Sequence, residues 1–261
     1  MKRLSLFFFS LLLSSQLFAQ APLPAETEKT VQNHQNWFTY FGQFKLSENL
    51  GIHTDVQFRK DEKVQFTKQN LLRAGLIKYF NPNLNFTAGY AYINSQNVGL
   101  NDYATEHRIW EQLIYAHKPA NLNMTHRFRL EQRFVERLFI SGDGSIKSNY
   151  DYGNRFRYFN RTIFDLTRNT EAQNVFYVAL QDEIFLNFAS PDINKNTFDQ
   201  NRFLVAFGVF HDKKTRLELG YMNQFINPYK RANTMNHIFH VSVLQTLNFM
   251  APPKPDPAIT E

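Results

Sequence analysis

Along most of this chain, apolar and polar side chains take turns residue by residue. Between 50 and 60, Ile52, Thr54, Val56 and Phe58 fall on one face while His53, Asp55, Gln57 and Arg59 fall on the other. That is the period-two geometry of a β-strand. Eleven such stretches can be drawn, at 37–46, 50–60, 71–80, 84–93, 104–115, 124–135, 155–165, 175–187, 198–210, 215–224 and 238–249. Each is close to the length, about 9–11 residues or somewhat more, that a tilted strand needs to cross a bilayer.

The connections alternate in length. Short turns at 47–49, 81–83, 118–121 and 211–214 are rich in turn formers, and longer polar segments lie at 61–70, 94–103, 136–154, 188–197 and 225–237. Short turns on one rim and long loops on the other are the arrangement of an outer-membrane barrel. The fold expected is therefore all-β, an antiparallel transmembrane up-and-down β-barrel of 10–12 strands. Twelve is favoured, because single-chain bacterial barrels have even strand numbers. Either a weak strand in the leader completes the count, or one of the eleven is misassigned. The architectural rival is a soluble periplasmic β-barrel or sandwich, in which the apolar face would form the core and the charged face would meet water.

The polar series is charged rather than merely hydroxylic. Taking the apolar series as outward, 124–135 sends Arg127, Arg129, Glu131 and Arg133 inward, and 155–165 sends Arg155, Arg157 and Arg161. Asp55, Glu106, Glu183 and Glu218 add acids, and Arg59, Arg73, Arg108, Arg202 and Arg216 add bases. A cation facing lipid at mid-depth costs about 2–4 kcal/mol, so this ladder belongs in the lumen or at the rims. Guanidinium and carboxylate groups on neighbouring strands would pair and fill a lumen of intermediate width. Unpaired arginines would instead favour anions.

Composition changes the picture in three places. The 27 Phe and 12 Tyr suit a wall that needs lipid-facing surface and interfacial girdles. The mean hydropathy of −0.44 suits a wall that is apolar only at alternate residues. With no cysteine, disulfides and thiolate metal sites are excluded.

Lys2 and Arg3, an apolar run over 4–13, and small or polar residues up to Ala19 read as a secretion signal, too short to span a bilayer. Cleavage after Ala19 would remove those two bases and lower the formal charge from +6 to +4. The expected organisation is a signal at 1–19, a flexible leader at 20–36, the barrel at 37–249 and a Pro-rich tail at 250–261. The remaining bases are scattered singly through strands, which argues against a nucleic-acid partner. The partners implied are outer-membrane lipid and the assembly machinery that inserts such strands. The expected location is the outer membrane of a Gram-negative cell.

Candidate chemistry is sparse. His240 and Ser242 share a face of the last strand, and His-x-Ser at this spacing is similar to the pair in outer-membrane lipid A deacylases, a His base beside a Ser nucleophile. No acidic residue follows on that strand to orient the histidine, so the alternative is a hydrogen bond in the lumen. His107 and His126 lie on neighbouring strands with no serine close in sequence. Asp143 and Asp151, around Ser141-Gly142-Asp143-Gly144, lack the acidic density of a calcium loop. No spacing of histidines and acids suggests a metal site, and nothing implies a cofactor.

The segments Glu106-His107-Arg108-Ile109-Trp110-Glu111-Gln112, His126-Arg127-Phe128-Arg129-Leu130-Glu131-Gln132-Arg133, Phe198-Asp199-Gln200-Asn201-Arg202 and Leu217-Glu218-Leu219-Gly220-Tyr221-Met222-Asn223-Gln224 resemble the family known as domain of unknown function 2490. The resemblance covers essentially 37–249. It implies a secreted outer-membrane barrel and carries no activity or catalytic residue. The last strand, with Leu247 and Phe249 alternating, looks like a barrel assembly signal, although it lacks the glycine and is followed by a tail.

Three functions are open at this point. One is a non-enzymatic outer-membrane barrel with an Arg/Glu-packed interior and a structural, adhesive or small-solute role. Another is a narrow anion-preferring channel. The third is a lipid-modifying hydrolase using His240 and Ser242.

Overall fold

A computed structural model of the chain describes residues 30–250 apart from 98, 121, 168, 170, 171, 190 and 191. The expected signal at 1–19 and the tail from 251 onward lie outside the described residues. Among the described residues there are eleven strands: β1 (Val31–Lys45), β2 (Leu50–Asp61), β3 (Thr67–Asn81), β4 (Leu84–Asn97), β5 (Asp102–His117), β6 (Asn123–Ile140), β7 (Ile146–Asp165), β8 (Asn174–Phe188), β9 (Phe198–His211), β10 (Thr215–Ile226) and β11 (Thr234–Asn248). They form one closed sheet in which each strand pairs with its sequence neighbours and β1 pairs with β11. A single closed ring replaces the two stacked sheets of the sandwich alternative.

The expectation of twelve strands is not met, and the reason is geometric. Ten hairpin connections reverse the chain ten times, so β1 and β11 run the same way. Their ladder is accordingly parallel, in continuous register from Val31↔Thr234 to Lys45↔Asn248, while all other neighbours are antiparallel. A parallel ladder satisfies edge N–H and C=O groups as an antiparallel one does, so closure leaves no edge for a twelfth strand to occupy. One rim carries the start of β1 and the β2–β3, β4–β5, β6–β7, β8–β9 and β10–β11 connections. The other carries the remaining turns and the end of β11.

The strands run further than alternation alone indicates, mostly at the rim bearing the start of β1. That strand begins at Val31, six residues before the stretch at 37–46, and β6 and β7 stay paired out to Ile140↔Ile146. The long loop expected over 136–154 shrinks to a turn at 141–145. Near the rim both faces of a hairpin meet solvent, so nothing selects an apolar residue at every second position although the ladder continues.

Burial follows the alternation but is inverted relative to a soluble protein. Asp55 is completely buried and Leu76 is 62% exposed. Phe58, Leu72, Ile109, Phe128, Phe176, Phe207, Leu219 and Phe239, spread over eight strands, are likewise exposed. Inside, bulky side chains sit opposite glycines. Trp110 is fully buried beside the paired Gly75 and Gly89, and the Tyr177 ring lies over its ladder partner Gly208, where any Cβ would collide with it.

Candidate functional site

The positions of the charge ladder are buried or line the lumen cavities, and they are joined mainly by ion pairs within a strand or between neighbouring strands, with a few, such as Arg73–Glu131 and Arg161–Glu218, reaching further round the ring. Glu131 on β6 is the hub. Its oxygens lie 2.7 Å from Arg155 and 2.6 Å from Arg157 on β7, with Arg73 on β3, Arg108 on β5 and Arg129 on β6 at 3.8–3.9 Å. From there the network spreads both ways. Arg73 donates to Asp55 on β2 at 2.6 Å, and Arg157 and Arg127 both donate to Glu183 on β8, at 2.7 and 2.6 Å. Glu106 is held by Arg108 and Arg133, each at 2.6 Å.

Pairing of this kind is what keeps buried charge tolerable. A guanidinium presents five donors in a fixed fork and stays protonated, so several can share one carboxylate without leaving an oxygen empty. Aromatic faces supplement the carboxylates: Arg127 lies 4.3 Å from the Phe159 ring centre, Arg157 4.4 Å from that of Phe185, and Arg129 4.9 Å from that of Trp110. Arg129 also donates twice to the Gln112 amide oxygen.

A second centre forms around Glu218 on β10, which accepts from Arg161, from the Tyr177 hydroxyl at 2.6 Å and from the Ser242 hydroxyl at 3.3 Å. His240 and Ser242 do share the inward face of β11. Ser242 turns to Glu218, whereas the His240 Nε2 meets the Thr39 hydroxyl at 3.3 Å and its Nδ1 is buried without a partner. The described hydrogen bonds do not join the two side chains, so the base–nucleophile contact of a hydrolase is not formed. Arg216 stacks on Phe210 at 3.9 Å.

The network divides the lumen. A cavity of about 340 Å³ opens toward the rim where β1 begins, and one of about 630 Å³ lies toward the other rim. Trp37, Gln57, Arg73, Arg157 and Arg202 line both and form the waist between them.

Other candidates resolve into local structure. Asp143 accepts from the Ser145 amide and hydroxyl and closes the β6–β7 turn; those bonds pull its carboxyl down to about 2. Asp151 takes Arg137 at 2.9 Å. His107 bonds the hydroxyl of Tyr90 at 2.5 Å on the outer wall, and His126 bonds that of Tyr158 at 2.9 Å. Among the described residues, no group of three or more histidines and acids is arranged to hold a metal ion.

Sequence reasoning missed Trp37, Tyr177 and Asp199 as members of the interior. Asp199 bonds Arg155 at 2.9 Å and Asn194 at 2.9 Å. It was hidden because Asp199 and Gln200 are both buried although successive, beside the register shift between Phe185 and Leu186 on the facing strand. Such a break in the alternation cannot be seen from one strand alone.

With this interior in view, the comparison that matters is with a family model described as Protein of unknown function (DUF2490), which matches residues 34–236. The chain belongs to this family. No curated protein and no solved structure matches it. The DUF2490 match runs from β1 into β11 and takes in the whole arginine–carboxylate ladder; His240 and Ser242 lie outside it.

Proposed function

We propose that this DUF2490 protein is an outer-membrane β-barrel whose lumen is closed by its own ionic network, and that its role is structural or concerned with retaining a small solute, without catalysis or steady conduction. The carrying observation is the inversion of burial: an unbroken ring of strands exposes Phe, Leu, Ile and Tyr outward and encloses Asp, Glu and Arg. In water such an exterior would be an aggregation hazard, whereas in hydrocarbon it is the required surface, since only a closed barrel satisfies its backbone there without helices. Lipid is thus the first partner, and the assembly machinery that inserts barrels is the second.

Closure of the lumen follows from the waist. Conduction of an anion through the waist would require the buried pairs of Arg73 and Arg157 to separate, and breaking a buried pair costs about 3–5 kcal/mol. The surplus of arginine over carboxylate supports anion preference in the vestibules rather than passage between them.

Two measurements test this reading. The full chain should fractionate with outer membranes and show heat-modifiable migration, and in planar bilayers it should give no steady openings. Recovery as a soluble periplasmic species would overturn the membrane placement, and sustained anion-selective currents would replace the closed barrel with the channel. For the hydrolase, Ser242→Ala is expected to leave acyl release from lipid at the same background level as the unaltered protein.

A further inference from the structure

The ion pairs leave out three arginines of the ladder: Arg216, which stacks on Phe210 in the larger cavity, and Arg59 and Arg202, which line the smaller one. Among the described residues, neither Arg59 nor Arg202 has a carboxylate oxygen within 4.0 Å. The carboxylates closest to them in the ladder are already engaged: Asp55 by Arg73 and Gln57, and Glu183, the cross-strand partner of Arg202, by Arg127 and Arg157. Arg59 makes do with amide oxygens, Gln69 at 2.5 Å and Gln57 at 2.6 Å, while its Nε is buried with no partner. Arg202 has at best the Gln224 amide, whose oxygen, once that amide is turned over, lies 3.2 Å from two of its nitrogens.

Both guanidinium groups converge on one indole. Arg59 lies 3.8 Å and Arg202 5.1 Å from the Trp37 ring centre. Both line the 340 Å³ cavity, whose volume far exceeds the about 10–15 Å³ that admits one water. Its other cations include Lys68, and the carboxylates on its wall, Glu106 and Asp199, are taken by Arg108, Arg133 and Arg155. Two protonated guanidiniums gathered at one indole in a partly enclosed space repel each other, and neither can shed its proton. A polyatomic anion accepting from both would remove that cost.

We propose that the vestibule at Arg59, Arg202 and Trp37 is a binding site for a small soluble oxyanion of the phosphate, sulfate or carboxylate class, held by the two guanidiniums. The two forks match the geometry of an oxyanion better than that of a bare halide. Binding is on one side of the waist and needs no passage through it, so it stands apart from the closed-lumen reading.

The test uses the full chain refolded in detergent and confirmed as folded by heat-modifiable migration. In a Trp110→Phe background, Trp37 is the remaining tryptophan and reports on the site directly. Sodium phosphate, sulfate and acetate are titrated against sodium chloride at constant ionic strength. The expected result is a saturable change in Trp37 emission with at least one oxyanion beyond that with chloride, weakened about tenfold or more by Arg59→Gln combined with Arg202→Gln. A response that follows ionic strength alone, or one that survives the double substitution, would overturn the site. Should either variant fail to fold, thermal unfolding of the unaltered chain decides: at constant ionic strength, a midpoint that rises and then saturates with oxyanion concentration supports the site, and a midpoint that is unchanged or climbs linearly without saturating, as general salt exclusion does, refutes it.

Discussion

At the residue scale, the burial of a charge matters less than whether its partners remain. Glu131 serves Arg155 and Arg157 directly and stands within 4 Å of three further arginines. Replacing it by Gln keeps the volume and removes the charge that makes five guanidiniums compatible. Glu131→Gln should destabilise the refolded barrel by about 3–5 kcal/mol, read as a lower urea midpoint in equilibrium unfolding. The pair Arg137–Asp151 has a similar distance but a 63% exposed arginine side chain. Water screens it, so Arg137→Ala should shift the same curve by less than about 1 kcal/mol. Equal losses in the two variants would mean that the interior network is solvated and that the lumen is not closed.

At the element scale, large and small residues alternate across adjacent strands. Tyr177 on β8 reaches over Gly208 on β9 to donate to Glu218 on β10. Gly208→Val fills the space the ring occupies and should cost about 1–3 kcal/mol by overpacking, with further loss if the Tyr177 hydroxyl leaves Glu218; a neutral result would show that the ring is free to move aside. The same elements show what a single sequence reveals. All eleven strands and the direction of Arg127, Arg129, Arg157 and Glu183 were legible, because period-two alternation is local to each strand. The identity of the partners was not, because Arg73–Glu131 and Arg161–Glu218 join strands three apart in chain order and meet only once the ring has closed. Nor were the rim ends of β1, β6 and β7, where both faces are wet, or Asp199, where the register shifts. The isolation of Arg59 and Arg202 was also invisible, since it depends on which carboxylates their neighbours have taken.

At the scale of the whole molecule, an odd number of alternating strands has a topological consequence. β1 enters the sheet at one rim and β11 leaves it at the other, so in a membrane the two ends of the barrel emerge on opposite faces. An even barrel would return both to the same face. The chain contains no cysteine, so single introduced thiols report on this without background. Val31→Cys, at an exposed position beginning β1, and Met250→Cys, just past β11, should react oppositely with a membrane-impermeant maleimide: one in intact cells, the other only after the outer membrane is permeabilised. Because the connections on the β1-entry rim are on average the longer ones, the accessible thiol should be the one at Val31. Labelling of both in intact cells, or of neither, would require a twelfth crossing and would break the parallel β1–β11 closure on which the shape of the lumen depends.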